Sequence, residues 1–512
     1  MPEANRYILP GPKFGRRTLK SRRLSSSDTF YWHDYETSGT NPAYDRPIQF
    51  AGLRTDSDLN PVGEPLVIYN RLTPDCLPHP AAVRVTGISP ATVLEQGLPE
   101  RDFIDRIHQE LQRPHTCALG YNSVRFDDEV TRFTLYRNFF PPYAREYGQG
   151  RTRWDLIDAV RAFYALRPEG LQWPTGENGL TSFRLEDLTA ANGIDHGAAH
   201  DALADVQATI ALAKRMKAAQ PALFEALFAL RTKQQVAPLL DVQAMRPVVH
   251  VSGMFGAARA NLAVVVPLAM HPKNTNEIVC ADLAGAMDFL DDTDETVRAH
   301  LFAKESELPE GVPRPPLKTI RLNKAPVVLP TEWVAGPVAE RLGLDGDKAR
   351  QGLAALRGAR DADPDAFKRF IQSIFSERQF EARTDPDVML YEGFIDREDE
   401  HHFEEIRHAT PEHLRDSRWV FKDARLPELL FRYRARNYPE SLLPEEHSEW
   451  QEHCYAKLTA DSQGKEQSFW EALTEERGRP GLSTRQRDAL DDLERYARAR
   501  LGEGDSIPQN AT

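Results

Sequence analysis

The chain has 512 residues, 41% hydrophobic and 28% charged, with a formal net charge of −13; this length predicts about three domains of ordinary globular polarity. The acidic balance means that any nucleic-acid groove must be a local basic feature, and the absence of a run of about 18 apolar residues excludes a membrane-spanning helix. The four cysteines (Cys76, Cys117, Cys280, Cys454) are far apart without paired metal spacing, which predicts reduced thiols in a cytoplasmic protein.

Residues 1–28 hold Lys13, Arg16, Arg17, Lys20, Arg22 and Arg23 among Ser, Gly and Pro, and read as a disordered basic leader without the apolar core of a secretory signal. The stretch 29–39, TFYWHDYETSG, follows. Its aromatic run predicts a strand. Successive strand side chains alternate in direction, so Asp34 and Glu36 share one face, about 7 Å apart along the strand, and Tyr35 points to the other. Such a pair is a platform for a hard divalent cation; taken alone it is also an ordinary solvated strand face. Further strands are predicted at 47–55 and 66–72, a loop at 85–90, a helix at 102–111 with Phe103, Ile104, Ile107 and Leu111 at helical spacing, and a short strand at 116–121.

Asn122-Ser-Val-Arg-Phe-Asp127 leaves that strand and opens a helix predicted over 127–140. Asp127 thus stands at a helix N-terminus, where a carboxylate is favoured whether it caps the helix or binds a cation. A helix at 155–166, a Pro/Gly-rich loop at 167–182 and a short helix at 185–192 come next. Ala199-His200-Asp201-Ala-Leu-Ala-Asp205 then opens a helix running to about residue 219. Five residues on a continuous helix are about 140° of rotation, so His200 and Asp205 meet only if His200 sits at or before the first turn. The His196-Gly197 pair makes a loop-to-helix boundary there.

Beyond residue 220 the segment 249–283 has β-rich runs separated by a Pro-Lys-Asn turn, and 317–329 adds another, which together read as a compact β-barrel. Helices are predicted at 333–342, 348–356 and 365–375. Residues 379–500 are helical and acidic, interrupted by Phe431-Arg-Tyr-Arg-Ala-Arg-Asn-Tyr438-Pro439. Arg432, Arg434 and Arg436 can serve phosphates there, with Tyr433 and Tyr438 on bases, or can pair with local acids. The domains are therefore 1–28 leader, 29–219, 220–378, 379–500, and a disordered tail at 501–512.

A D-x-E on a strand, an acid after a later strand and H-x4-D at a final helix, in that order, resemble the DEDDh 3′→5′ exonuclease superfamily. The runs HDYETSGTNPAYDRPIQFAGLRTDSDLN, GYNSVRFDDEVTRFTLYRNFF, RWDLIDAVRAFYALRPEG, SFRLEDLTAANGI and HVSGMFGAARAN narrow this to a resemblance to the bacterial exonuclease I family. The resemblance runs from about residue 29 to about 470. It implies an α/β fold in which a ribonuclease-H-like αβα exonuclease domain is followed by an SH3-like β-barrel domain and a C-terminal α-helical domain. It also implies Mg²⁺-dependent 3′→5′ hydrolysis of single-stranded DNA to 5′-mononucleotides in DNA repair and recombination.

On the matching positions the family pattern implies two Mg²⁺ ions, with Mn²⁺ as substitute, held by Asp34, Glu36, Asp127 and Asp205, and His200 as general base. The all-oxygen acid set suits these ions rather than zinc, and an ordinary imidazole, titrating near roughly 6.5, can take a proton at neutral pH. Substrate contacts are expected from Glu36, Thr37 at the terminal sugar, Arg184 on a phosphate and Arg132 on the strand backbone. Tyr143 and Phe183, with Tyr147 and Trp173, are candidates to stack on bases or to pack in the core. The resemblance further implies a monomer that docks to single-stranded-DNA-binding protein. Two other functions share these residues: a 3′→5′ exoribonuclease of the same superfamily, and a non-catalytic single-strand-binding scaffold.

Overall fold

In the computed structural model, which describes residues 28–197, 200–376, 382–463 and 467–501, strand β1 (Thr29–Thr37) forms where the aromatic run predicted it, with Phe30, Tyr31 and Trp32 buried. The predicted basic leader up to residue 27 and the tail from 502 lie outside the described residues. The chain divides into two compact units. The first holds Asp28–Thr152, His196–Ala208 and the helices between 382 and 501. The second holds Arg153–Asp195 and residues from 209 to 376.

In the first unit β1 pairs antiparallel with β2 (Pro47–Thr55), which pairs with β3 (Leu66–Tyr69), and parallel with β4 (Thr116–Gly120). The order is β3-β2-β1-β4. The helix Glu100–Leu111 lays Phe103, Ile104, Ile107 and Leu111 against Tyr35 and Phe50, the apolar stripe that its 3.6-residue spacing predicts. The expected loop at 85–90 is instead the junction of two helices, Pro80–Thr86 and Pro90–Gln96. Each starts with Pro at its first position, where the missing N–H costs nothing, and is capped by a side chain, His79 to Ala81 N at 3.2 Å and Ser89 to Thr92 N at 3.1 Å.

The C-terminal helices join the same unit. Phe403 and Ile406 of helix Arg397–His408, and Leu429 and Tyr433 of helix Leu426–Asn437, share a core with Phe133, Tyr136 and Phe139. Beside this core lies a buried ion network. Arg436 donates to Asp75 at 2.8 Å and to Asp387 at 2.5 Å, Lys457 and Arg46 reach Asp75 at 3.0 and 3.2 Å, and Arg137 holds Glu100 at 3.1 Å. Burial alone would raise the Asp75 and Asp387 carboxyls, but the surrounding cations, Arg436 foremost, hold both well below the usual range.

Strand β5 (Thr152–Asp155) leads into helix Leu156–Leu166, capped by Asp155. The second unit contains a five-stranded antiparallel sheet of β6 (Val248–Val251), β7 (Leu262–Met270), β8 (Glu277–Asp282), β9 (Leu317–Arg321) and β10 (Val327–Pro330), in the order β10-β6-β7-β8-β9. The single run expected at 317–329 is thus two strands. Val266 and Val279 of the sheet pack with Val297, Leu356 and Ile371 from three helices, Asp294–Phe302, Gly346–Ala362 and Pro364–Ile374.

Candidate active site

Asp34 and Glu36 stand opposite Ala51 and Gln49 in the β1–β2 register, and the register shifts at Glu36/Thr37. Tyr35 faces the other way, into Phe50 with ring centroids 4.9 Å apart. Pairing between β1 and β4 ends at Trp32 and Leu119, which leaves the β1 backbone beyond it without a strand partner on that side. The chain turns away from β4 through Gly120, where a Cβ would lie 2.5 Å from the His33 carbonyl, and through left-handed Asn122 (φ 65°). Helix Asp127–Arg137 starts directly after this turn. There the Tyr35 N–H donates to Asp127 Oδ1 at 3.1 Å, so the acid fills the place a strand would have taken and stands between its two neighbours on β1. The helix start is anchored by a buried ion pair, Arg145 to Asp128 at 2.7 Å.

His200 lies outside the helix Ala202–Ala219, in a left-handed conformation (φ 64°). Asp201 caps that helix, its Oδ1 accepting from Leu203 N at 3.2 Å and Ala204 N at 3.3 Å. This is the geometry that the five-residue spacing requires: His200 turns on its own backbone while Asp205 rides the first helical turn. One donor atom each from Glu36, His200 and Asp205 come within 4.8 Å of one another.

The electrostatics are those of crowded like charges. Burial and then the Asp127, Glu36 and Asp205 carboxylates push the Asp34 carboxyl well above its ordinary range. Glu36 is pushed up to about 9 by burial and then by Asp205, Asp127 and Asp201. The neighbours that most perturb both groups are acids. Removing several carboxylates from water side by side is unfavourable unless protons or a cation neutralise them, and a set of oxygen donors fits a hard divalent ion.

The structure therefore brings Asp34, Glu36, Asp127, His200 and Asp205 to one place. Thr37 follows on β1, its hydroxyl donating to Gly39 O at 2.6 Å, beside a small apolar hollow lined in part by Ile48, Val83, Ile88 and Val93. Arg132 is buried and engaged with Glu146 at 2.6 Å, Glu129 at 2.7 Å and Tyr391 at 3.2 Å, with its guanidinium 5.4 Å from the Tyr143 ring centre. Tyr147 is exposed. In the second unit Phe183 packs edge-on to Tyr164 beside Trp173. Arg184 precedes helix Leu185–Ala191 with its side chain 71% exposed.

The arginines of the run at 431–438 pair with acids, as in the second of its two sequence readings, but of these acids only Glu428 and Glu446 are local. Arg432 pairs with Glu428, Asp385 and Asp387, Arg434 with Glu446 and Ser441, and Arg436 with Asp75 and Asp387. Sequence reasoning also passed over His196, used only to mark a boundary, whose Nε2 lies 2.5 Å from Asp205 Oδ1. A second histidine four residues before His200 was the available signal.

Three family descriptions match the chain: "Exonuclease" over residues 31–213, "Exonuclease I SH3-like domain" over 231–377 and "Exonuclease I C-terminal domain" over 384–500. Exodeoxyribonuclease I of Haemophilus influenzae is 45% identical over 433 residues, 84% of this chain and 90% of that protein. A moderately thermophilic exonuclease I from Methylocaldum szegediense superposes with a TM-score of 0.87 at 45% identity, covering 93% of this chain and 100% of the other. The zinc-ion-bound E. coli exonuclease I complex with single-stranded DNA superposes with a TM-score of 0.87 at 43% identity, covering 93% of this chain and 99% of the other.

Proposed function

This chain belongs to the bacterial exonuclease I family, and on that premise we propose that Asp34, Glu36, Asp127 and Asp205 hold two Mg²⁺ ions for the hydrolysis of single-stranded DNA. The protein is a 3′→5′ exodeoxyribonuclease. The observation that supports the metal reading is the crowding of the acids: Asp34 and Glu36 are both shifted upward, chiefly by burial and by other carboxylates.

Asp34 feels the Asp127, Glu36 and Asp205 carboxylates together, and would be a ligand shared within this set. Glu36 and Asp205, whose donor atoms lie within 4.8 Å of each other and of His200, would together hold a cation, and Asp127, already tied to the Tyr35 N–H, would support cation binding from the other side of the set. Two ions bound there would supply an activated water and charge stabilisation at the leaving 3′-oxygen. His200, which lies before the helix, would accept the proton of the attacking water. Thr37, next along β1, meets the sugar of the terminal nucleotide, and Arg184 binds a phosphate. Action as a monomer in the cytoplasm, docked to the tail of single-stranded-DNA-binding protein, belongs to the same reading.

Matched DNA and RNA oligonucleotides, each incubated with Mg²⁺ and with excess chelator, test it. The expected result is digestion of single-stranded DNA only when Mg²⁺ is present, with RNA cut far more slowly. Chelator-resistant digestion would overturn the metal reading, and equal rates on RNA would overturn the substrate reading.

A further inference from the structure

Four acids gathered at one place repel one another, and their side chains splay unless something holds each of them. Asp127 is held by the Tyr35 N–H. For Asp205 the holding contact comes from outside its own helix. His196 lies between left-handed Gly193 (φ 63°) and Gly197 (φ 55°), in the segment that precedes His200. Its Nε2 reaches Asp205 Oδ1 at 2.5 Å, with the two side chains only 12% and 18% exposed. A carboxylate can only accept, so the imidazole carries its proton on Nε2 and donates it there.

We propose that His196 is a positioning residue for the cation site, fixing the Asp205 carboxylate in the orientation that sets it within 4.8 Å of the Glu36 and His200 donor atoms. The two histidines divide the work. His200 is the proposed general base, whereas the His196 ring is engaged with an acid. Hydrogen bonds of this kind orient metal-binding carboxylates, and losing one typically weakens metal binding by about 10–100-fold. The inference rests on reading the acids as a cation site.

The test titrates MnCl₂ calorimetrically into the full-length protein and three variants, and follows digestion of single-stranded DNA as a function of Mg²⁺. His196→Ala removes the ring, His196→Phe keeps a ring without a donor, and His196→Gln keeps a donor. The expected result is Mn²⁺ binding weakened about 10–100-fold in His196→Ala and His196→Phe, with His196→Gln between them and wild type. The Mg²⁺ concentration for half-maximal digestion should rise by a similar factor, while the rate at saturating Mg²⁺ falls much less. If His196→Ala does not fold, the comparison of Phe with Gln decides. Unchanged Mn²⁺ affinity in the donor-free variants overturns the proposal, as does a loss of saturated rate without a change in affinity. Absence of Mn²⁺ uptake by the wild-type protein would overturn the cation reading itself, and this inference with it.

Discussion

His200 and Asp205 lie within one short segment, yet one precedes the helix and the other is built into it, so the proposed roles of base and ligand can be separated by mutation. His200→Ala should lower turnover by roughly 10²–10⁴-fold, the usual contribution of a general base, with Mn²⁺ affinity nearly unchanged. Asp205→Ala should weaken Mn²⁺ binding itself. Calorimetry on both variants checks the split, and equal loss of binding in the two contradicts it. The crowded acids also carry a pH signature. Glu36 in the cation-free folded protein holds its proton up to about pH 9, whereas an unfolded glutamate loses it near roughly 4.3. Between these values the folded state binds the extra proton, so the stability this gives is complete at low pH and is lost as pH rises toward 9. In chelator, the unfolding temperature of wild type should therefore fall relative to that of Glu36→Gln as pH is raised through this window. Added Mn²⁺ should reverse the trend, since it binds ionised carboxylates of the native state. A pH-independent difference between the two proteins would contradict the crowding.

At the scale of elements, helix Leu426–Asn437 ties the C-terminal helices to the exonuclease part through charge as well as apolar packing. Arg436 holds two buried acids, and removing one partner of a buried pair leaves the others uncompensated, a cost of about 3–5 kcal/mol. Arg436→Ala should lower the unfolding temperature and reduce digestion of short and long strands together. A loss confined to long strands, at unchanged stability, would instead make Arg436 a DNA contact. Such a network is hard to read in a sequence, because Arg436 and Asp75 are 361 positions apart. The run RYRAR shows its charges and not its partners. Local features were more legible. The aromatic run placed β1 and the shared face of Asp34 and Glu36, and the five-residue spacing demanded a histidine outside its helix. Helices Pro80–Thr86 and Pro90–Gln96 are each only seven residues long and begin with proline, so neither shows a sustained apolar period in the sequence. His196 went unread because it lies nine positions before Asp205 and outside the helix, where no period links the two.

For the whole molecule the central tension is an acidic chain, net −13, acting on a polyanion. With Arg432, Arg434 and Arg436 committed to internal acids, phosphate contacts must come from other residues, and Arg184 has the exposure to supply one. Arg184→Ala should weaken binding of single-stranded DNA and lower the slope of log affinity against log salt by about 0.7, the value for one phosphate contact on a single strand. An unchanged slope would remove Arg184 from the interface. All these expectations stand on one claim, that the acids gathered around β1 hold the metal ions that cut DNA from its 3′ end. The most direct test is digestion of a 5′-labelled single strand by wild type and Asp34→Ala, with products resolved by length and DNA binding measured in parallel. Wild type in Mg²⁺ should shorten the labelled strand progressively from its 3′ end, and Asp34→Ala should bind the strand but leave it intact. Near wild-type digestion by Asp34→Ala, or release of the 5′ label as the first product, would contradict that claim.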